Sequence, residues 1–291
     1  MSVSDANWTV ITGSTGGIGH EIVQIHAGRG ASLILVNRSQ AKATAQRDEI
    51  LSKHPDLRIE LVMADLLDVA QITGAVDKIN AIPGRIDLLY NNAGILTGEK
   101  VLSAQGYESQ FAVNVLASYL FTKNLRNKMA RSLDETAAMI VDFSSSAITP
   151  LKSLNLDDLA HPEKVGGLMT TYAQTKLAVT TLAPALAEEL RPDNILIRAI
   201  DPGATKSAMT TGGNSAMPKV LSWLAPLLFR PADKQAAKLV ESADPTAFEG
   251  RSGIYVANRK EKRPPAPVTD QKTQRELIAM LDRLSSAQED R

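Results

Sequence analysis

Short apolar segments alternate with amphipathic segments along almost the whole chain, and this alternation constrains the fold most strongly. The apolar runs are nearly continuous, which is typical of parallel strands that helices cover on both faces. Strands are predicted at residues 8–12, 31–37, 58–64, 86–90, 137–143, 195–200 and 252–257. We therefore expect one doubly wound Rossmann-type α/β domain over residues 1–291, with a parallel sheet of about seven strands and helices on both faces.

The composition argues against several functional classes. The 32 Lys and Arg residues balance 32 Asp and Glu residues, so the net charge gives no reason to expect a nucleic-acid partner. The chain has no cysteine, and its four histidines lack the spacing of metal ligands, so we expect no metal site. No apolar run reaches about 18 residues and no secretory leader is apparent, so we expect a cytoplasmic protein without a membrane span.

The loop after the first predicted strand reads TGSTGGIG over residues 12–19. Glycines between a strand and a helix let the backbone approach a pyrophosphate, and the helix N-terminus offers free N–H groups. Two patterns fit these residues. T-G-x-x-x-G-x-G uses Gly13, Gly17 and Gly19, whereas T-G-x-x-G-x-x-G uses Gly16 in place of Gly17. The loop predicts a dinucleotide site but does not by itself choose between the patterns.

The residues after the second and third strands bear on the adenosine end of that site. An acid at the tip of the second strand would favour NAD, but the chain reads Asn37-Arg38 there. Arg38 could pair with a 2′-phosphate, or simply lie exposed at a helix start, and we expect NADP(H) rather than NAD(H). Asp65 could accept a bond from the adenine amino group or cap the next helix. Leu66, which follows it, is a further expected cofactor contact.

Tyr172 and Lys176 stand four residues apart on a predicted helix and therefore share one face. A free phenol has a pKa of roughly 10, which is too high for efficient proton transfer near neutral pH. A neighbouring ammonium would stabilise the phenolate and lower that pKa. The pair alone is weak, because helices carry such pairs by chance.

Five motifs occur in an order and spacing that resemble the short-chain dehydrogenase/reductase family. They are the glycine loop at 12–19, NNAG at 91–94, the serines at 144–146, Tyr172 with Lys176, and DPG at 201–203. NNAG favours the dehydrogenase branch of that family and, with it, the glycine pattern that uses Gly17. The resemblance implies an NADP(H)-dependent oxidoreductase that interconverts a ketone or aldehyde with an alcohol.

The resemblance also assigns roles to residues. It implies that Tyr172 is the general acid or base, that Lys176 lowers its pKa and binds the nicotinamide ribose, and that Ser145 holds the substrate oxygen. Ser144 and Ser146 are the alternatives in register for that serine. Asn114 would complete a water-linked proton relay, and it could also bend its own helix. Cofactor contacts are implied, beyond Arg38, Asp65, Leu66, Tyr172 and Lys176, at Gly13, Ser14, Thr15, Gly17, Ile18, Gly19, Asn92, Ala93, Gly94, Pro202, Gly203, Thr205 and Ser207.

The later part of the chain resembles one branch of the family. The stretch 146–171 between Ser145 and Tyr172 is about twice the usual length, as in the retinol-dehydrogenase and WW-domain-oxidoreductase-like branch. We expect residues 204–230 to form a lid over a bulky or apolar carbonyl or alcohol substrate. Residues 258–291 would form a C-terminal extension. The long helices near 105–130 and 170–190 are candidate contacts in a homo-oligomer.

Two other functions are consistent with parts of the sequence. The extended branch of the family contains epimerases and dehydratases and generally uses the glycine pattern with Gly16. A non-catalytic NADP-sensing regulator could also use this fold, although such proteins typically lose the tyrosine or the lysine. The chain retains both Tyr172 and Lys176.

Overall fold

The computed structural model describes residues 7–99, 101–161, 167–203 and 231–286. In this part of the chain, eight strands form one sheet in the order β3-β2-β1-β4-β5-β6-β7-β8. The strands are β1 (Asn7–Thr12), β2 (Ser32–Asn37), β3 (Ile59–Met63), β4 (Arg85–Asn91), β5 (Ala138–Phe143), β6 (Ile195–Asp201), β7 (Ile254–Ala257) and β8 (Lys260–Lys262).

The first seven strands pair in parallel, and only β8 runs antiparallel, against β7. The predicted doubly wound α/β fold is therefore confirmed. The sequence analysis missed β8, because its residues, Lys-Glu-Lys, are all exposed and carry no apolar signal.

Helices cover both faces of the sheet. They are α1 (Gly17–Gly28), α2 (Gln40–Lys53), α3 (Val69–Ala81), α4 (Ser109–Phe111), a π-helical turn (Ala112–Leu116), α5 (Ala117–Met129), α6 (Leu156–Leu159), α7 (Leu168–Leu190), α8 (Ala232–Ser242), α9 (Ala266–Thr269) and α10 (Gln271–Ser286). Helices α3, α5, α7 and α10 pack on one face, while α1, α2 and α8 pack on the other.

Alternate residues of each central strand enter opposite cores, which explains the continuous apolar runs in the sequence. In β5, for example, Ile140 belongs to the core under α5 and α7, whereas Met139 and Val141 belong to the core under α1 and α8. All three side chains are fully buried. A strand that is covered on both faces therefore has no position at which a polar residue would face water.

The strand order places a crevice at the carboxyl ends of β1 and β4. From β1 the chain proceeds outward through β2 and β3, and it then returns to place β4 on the other side of β1. Ligands of open α/β sheets bind at such a switch point, outside the carboxyl ends of the strands. The glycine loop follows β1 and the NNAG segment follows β4, so both flank this crevice.

The C-terminal extension returns to the helical layer beside the crevice. Helix α10 packs against α7, and the Tyr119 hydroxyl of α5 donates to the Asp282 carboxylate of α10. Helix α10 therefore covers part of the surface of α5 and α7 that the sequence indicated as a contact with a second copy of the chain. The expected lid at 204–230 lies outside the described residues. Within those residues, every helix is too short or too polar to cross a membrane.

Arg198 of β6 is the largest fully buried side chain that carries a charge. Its guanidinium donates to the backbone carbonyls of Ser242, Asp244, Pro245, Ala247 and Arg251. Burial lowers its pKa to about 10, so it stays charged at neutral pH. A planar donor set satisfies these carbonyls and anchors the connection between α8 and β7 to the sheet.

We predict that Arg198→Lys destabilises the protein by about 3 kcal/mol, because one ammonium cannot reach all five carbonyls and leaves buried acceptors unpaired. Chemical denaturation followed by circular dichroism measures this change. Arg191→Lys is the matched control, since Arg191 is exposed and pairs only with Glu188 on the surface. That control should cost under about 0.5 kcal/mol. Equal effects of the two substitutions would contradict a special role of Arg198.

Candidate active site

The glycine loop requires glycine at three of its four glycine positions. Gly13 and Gly17 have positive φ values of 66° and 55°, in the region that L side chains rarely adopt. A Cβ on Gly19 would lie 2.5 Å from the Gly13 carbonyl oxygen and 2.5 Å from Asn92 Nδ2. Gly16 is extended, and a Cβ there would meet nothing within 4 Å. The geometry therefore matches the pattern that uses Gly17, and Gly16 is the variable position.

The Asn92 side chain joins the two loops that flank the crevice. Its Nδ2 donates to the carbonyls of Thr12 (2.8 Å) and Gly13 (2.9 Å), and the Ala93 N–H donates to Thr12 Oγ1 (3.0 Å). The amide of Asn92 is therefore committed to the protein, and only the backbone of residues 92–94 is left to line the crevice.

A buried polar network holds the glycine loop to α2. The Ser14 hydroxyl accepts from Asn37 Nδ2 (2.7 Å) and donates to Gln46 Oε1 (2.9 Å), while Gln46 Nε2 donates to the Ser14 carbonyl (2.8 Å). The Ser14 side chain thus points into the protein, whereas Thr15 and Ile18 stay half-buried beside the crevice. Sequence reasoning missed Gln46, although its spacing with Ala43 and Ile50 puts it on the buried face of α2.

An exposed cation follows β2, the strand next to β1 in the sheet. Arg38 follows β2 and is exposed, and no salt bridge among the described residues involves it. One interpretation of the sequence made Asp65 the N-cap of α3, but the structure contradicts it. The N-cap is Asp68, which accepts from the Ala70 N–H, while Asp65 Oδ1 accepts from the Leu67 N–H. Leu66 packs its side chain partly against the core.

Lys176 lies on α7 with its side chain almost completely buried. Its Nζ donates to the Phe143 carbonyl at the end of β5 (2.8 Å) and lies 5.8 Å from the centre of the Tyr172 ring. The four-residue spacing therefore does put both groups on one face of the helix. The strand end orients the ammonium toward the phenol.

The three serines after β5 have different environments. Ser144 is buried and bonds to Thr180 Oγ1 (2.6 Å), whereas Ser146 is exposed. Ser145 lies between these extremes: its hydroxyl accepts from the Ala147 N–H (3.2 Å), and it acts to lower the pKa of Tyr172. Of the three register alternatives, the structure brings Ser145 together with Tyr172.

Asn114 occupies the π-helical turn between α4 and α5. Its Oδ1 accepts from the Ile95 N–H (2.7 Å), and its Nδ2 donates to the Ile95 carbonyl (3.0 Å) and to Thr175 Oγ1 (3.2 Å). A Cβ on Gly94 would lie 3.3 Å from Asn114 Oδ1 and 3.5 Å from Lys176 Nζ. The end of NNAG, the π-helical turn and α7 therefore meet directly beneath the crevice.

Burial dominates the electrostatics of Tyr172 and Lys176. It lowers the pKa of Lys176 to about 8, against the opposing charges of Asp142 and Asp201. Burial also raises the pKa of Tyr172, the hydrogen bond from Ser145 acts in the other direction, and the charge of Asp201 raises it further. The sequence led us to expect a lowered tyrosine pKa, but in the structure desolvation of the phenolate is the larger effect.

Two buried carboxyl groups near Lys176 were not among the predicted site residues. Burial raises the pKa of Asp142, in β5, to about 7. Asp201 ends β6, and burial raises its pKa although it accepts bonds from the Gly203 N–H (2.8 Å) and the Tyr255 hydroxyl (3.4 Å). The available signal was an acid inside the apolar run MIVDF and another ahead of the Pro-Gly pair.

The DPG segment lies at the opposite side of the crevice from the glycine loop. Gly203 has a positive φ of 77°, and Gln235 of α8 donates to the Pro202 carbonyl. Thr205 and Ser207, which the sequence placed next to this segment, lie outside the described residues. Sequence reasoning also missed Gln235, for which no motif gives a signal.

The residues at the crevice fit a dinucleotide. The backbone is free of side chains at Gly13, Gly17 and Gly94, so it can approach a pyrophosphate and a ribose closely, and α1 directs its N-terminus at the same place. The Cβ positions that Gly13 and Gly94 leave empty are close to Ala93 and to Lys176 Nζ, respectively. A cofactor in this cradle would therefore lie directly beside Lys176.

Sequence comparisons identify the family. A model of short chain dehydrogenases matches residues 7–153 and 161–218. Short-chain dehydrogenase TIC 32 A, chloroplastic, from Brassica napus is 32% identical over 200 residues, which cover 67% of this chain and 62% of that protein, less than two thirds of its length. The chain belongs to the short-chain dehydrogenase family.

Two other relatives match over more of the chain. Retinol dehydrogenase 13 from Homo sapiens is 27% identical over 279 residues, covering 94% of this chain and 83% of that protein. Polyprenol dehydrogenase from Danio rerio is 26% identical over 270 residues, covering 92% and 83%. The resemblance to a retinol-dehydrogenase-like branch is therefore confirmed.

Solved structures share the fold. A crystal structure of a protein from Mycobacterium Paratuberculosis matches with a TM-score of 0.75 at 22% identity, covering 98% of this chain and 95% of that one. NADPH-bound carbonyl reductase from chicken fatty liver matches with a TM-score of 0.66 at 20% identity, covering 89% and 99%. At such identities these matches speak to the fold alone.

We predict that serine is tolerated at Gly16 but not at Gly19. Gly19→Ser should cost about 2–4 kcal/mol of stability, because its Cβ would press on the Gly13 backbone and on Asn92. Gly16→Ser should stay within about 0.5 kcal/mol, since the position is open, extended and suited to a capping hydroxyl. Thermal and denaturant unfolding measure both. A Gly19→Ser protein as stable as Gly16→Ser would contradict the close approach of the two loops.

Proposed function

We propose that the protein is an NADP(H)-dependent oxidoreductase that interconverts a ketone or aldehyde with an alcohol. The observation that carries this proposal is the convergence of Tyr172, Ser145 and Lys176 at the carboxyl ends of the strands. The convergence lies beside the glycine cradle, so a proton donor and a dinucleotide would meet at one carbonyl group, the proton donor at its oxygen and the hydride donor at its carbon. Family membership supports the same reaction class.

In the proposed reduction, the hydroxyls of Ser145 and Tyr172 hold the carbonyl oxygen of the substrate. The raised pKa of Tyr172 keeps the phenol protonated near neutral pH, so it can donate its proton to that oxygen. Bound NADPH supplies the hydride. In the reverse direction the phenolate of Tyr172 takes the proton of the alcohol, which requires stabilisation of its negative charge.

Lys176 provides that stabilisation. Its ammonium lies 5.8 Å from the centre of the Tyr172 ring, and a nearby positive charge favours the phenolate over the phenol. Its bond to the Phe143 carbonyl holds it in place without neutralising it. Asn114 supports the same arrangement from below, because it ties the backbone of Ile95 to Thr175 of α7.

Arg38 supports the choice of NADP(H) over NAD(H). Its guanidinium is exposed next to the end of β2, where a 2′-phosphate would lie. The residue at the strand tip, Asn37, is buried and donates to Ser14, so it offers no carboxylate to repel that phosphate. The chicken carbonyl reductase that shares the fold binds NADPH.

We extend the proposal to an apolar substrate. The exposed large apolar side chains of the described residues include Val101, Leu102 and Met169. Met169 lies in the turn of α7 before Tyr172, and the neighbouring Leu168 reaches within 3.9 Å of the Cβ position of Gly98. Exposed apolar side chains therefore occur close in sequence to both the NNAG segment and Tyr172. Two relatives are named for retinol and polyprenol, which are apolar alcohols.

We predict that Tyr172→Phe lowers turnover at least about 1,000-fold while leaving NADPH affinity nearly unchanged, because only the proton donor is removed. A panel of carbonyl and alcohol substrates followed by NADPH absorbance measures turnover, and fluorescence titration measures binding. Undiminished turnover would refute the assignment. Wild-type protein that binds NADPH but turns over no member of the panel would favour a sensing role, and product formation without net change in NADPH would favour an epimerase or dehydratase.

We predict that Arg38→Ser weakens NADPH binding about 10- to 100-fold and leaves NADH binding within about threefold, since one charge-assisted pair with the 2′-phosphate is lost. Arg47→Ser on α2 is the matched control, because Arg47 pairs with Asp48 on the surface. That control should alter neither affinity. Equal losses for both cofactors would show that Arg38 does not read the phosphate.

A further inference from the structure

Asn91 and Asp142 form a buried pair beneath Lys176. They are direct partners in the parallel register of β4 and β5, and both point to the side of the sheet that α5 and α7 cover. Asn91 is 3% exposed and Asp142 is fully buried. Asn91 Nδ2 donates to Asp142 Oδ1 at 2.8 Å.

One oxygen of each side chain is buried and has no hydrogen-bond partner among the described residues. These atoms are Asn91 Oδ1 and Asp142 Oδ2. An amide oxygen and an ionised carboxylate oxygen can only accept hydrogen bonds. Two such oxygens on neighbouring side chains therefore cannot bond to each other, because neither carries a proton. A proton on Asp142 supplies the missing donor. One proton then satisfies both oxygens and completes a reciprocal pair of hydrogen bonds between a carboxylic acid and an amide.

The surroundings of Asp142 offer little compensation for a negative charge. On this side of the sheet, the titratable groups near it in the described residues are Lys176 and Tyr172 of α7, Asp201 of β6 and Tyr255 of β7. From α5 come only the Ser118 carbonyl and the Thr122 hydroxyl, which bind Asn91. Lys176 is the single cation in this group, and Asp201 competes for it.

We infer that Asp142 is a positioning residue for Lys176, neutral and paired with Asn91 when protonated, and a counter-charge beneath Lys176 once it ionises. The inference rests on the proposed function, because only an acid–base role of Lys176 gives the counter-charge a consequence for turnover. Burial raises the pKa of Asp142 to about 7, while the bond from Asn91 and the charge of Lys176 act to lower it. The switch between the two states therefore falls near neutral pH.

The consequence for Lys176 depends on pH. While Asp142 is neutral, only the charge of Asp201 acts against the burial that lowers the pKa of Lys176, and the ammonium stays protonated because the pH itself is low. As pH rises, a carboxylate appears beneath the ammonium and raises the pKa of Lys176. Lys176 then keeps its charge in the range where Tyr172 must release a proton to oxidise an alcohol.

Infrared spectroscopy of the full-length protein tests the protonation state without any need for activity. At about pH 6, where exposed carboxyls are ionised, the wild type should show the C=O stretch of a buried carboxylic acid. That band should shift on labelling with [13C]aspartate, fade as pH rises through about 7, and be absent from Asp142→Asn. Asp201→Asn is the control and should retain the band. A band that survives in Asp142→Asn, or that is missing from the wild type, would overturn the inference.

The pH dependence of turnover tests the effect on Lys176. Asp142→Asn keeps an amide in place of the acid and can still pair with Asn91, so its turnover at about pH 6 should lie within twofold of the wild type. Above about pH 8 its alcohol oxidation should fall up to about tenfold below the wild type, because Lys176 loses the counter-charge. A constant ratio at all pH values would indicate a structural role only and contradict the inference.

The two measurements separate this inference from the proposed function. Wild-type protein without turnover would sink the proposed function, and the infrared band would still decide whether Asp142 keeps its proton. If Asp142→Asn does not fold, the wild-type titration remains decisive, since a labelled band that fades through about pH 7 is required.

Discussion

The bonds from the Asn92 amide to the Thr12 and Gly13 carbonyls are the interaction on which the rest of the site depends. They join the loop after β1 to the loop after β4, where the strand order reverses and the crevice opens. The join is tight enough that Gly19 has no room for a Cβ. Once the two loops are fixed, Gly94 is placed against Asn114 and Lys176, so the same bonds position the glycine loop and the surroundings of Lys176.

Buried polar groups position this site, and each of them is costly to bury unless it is paired. Asn114 satisfies both ends of its amide on Ile95, and Lys176 binds the Phe143 carbonyl. On the other face of the sheet, the buried guanidinium of Arg198 is paired in the same way, and its recorded partners are backbone carbonyls. These groups therefore fix loop conformations, because each bond is lost if the backbone moves.

The sheet and the proximity of Tyr172 and Lys176 could be predicted from the sequence, while the groups that support these two residues could not. Apolar runs identify buried strands, and Tyr172 with Lys176 stands at helical spacing, so local patterns suffice for both. Gln46 and Gln235 follow no motif, because their partners lie 26 or more residues away on other elements. The cap of α3 went to Asp68 rather than Asp65 because three residues of turn intervene before the helix. The tyrosine pKa depends on burial, which spacing does not report.

The pKa values of the ionisable groups at the crevice are set mainly by their burial. Burial lowers the pKa of Lys176, and the two acids whose charges act to raise it, Asp142 and Asp201, lie at or next to the ends of two neighbouring strands. Neither acid can approach the ammonium by moving, because each is part of the sheet ladder. The register of β5 and β6 therefore fixes how strongly the two acids raise the pKa of Lys176. A slip of either strand by one residue would turn its acid to the opposite face of the sheet, and Lys176 would lose that counter-charge.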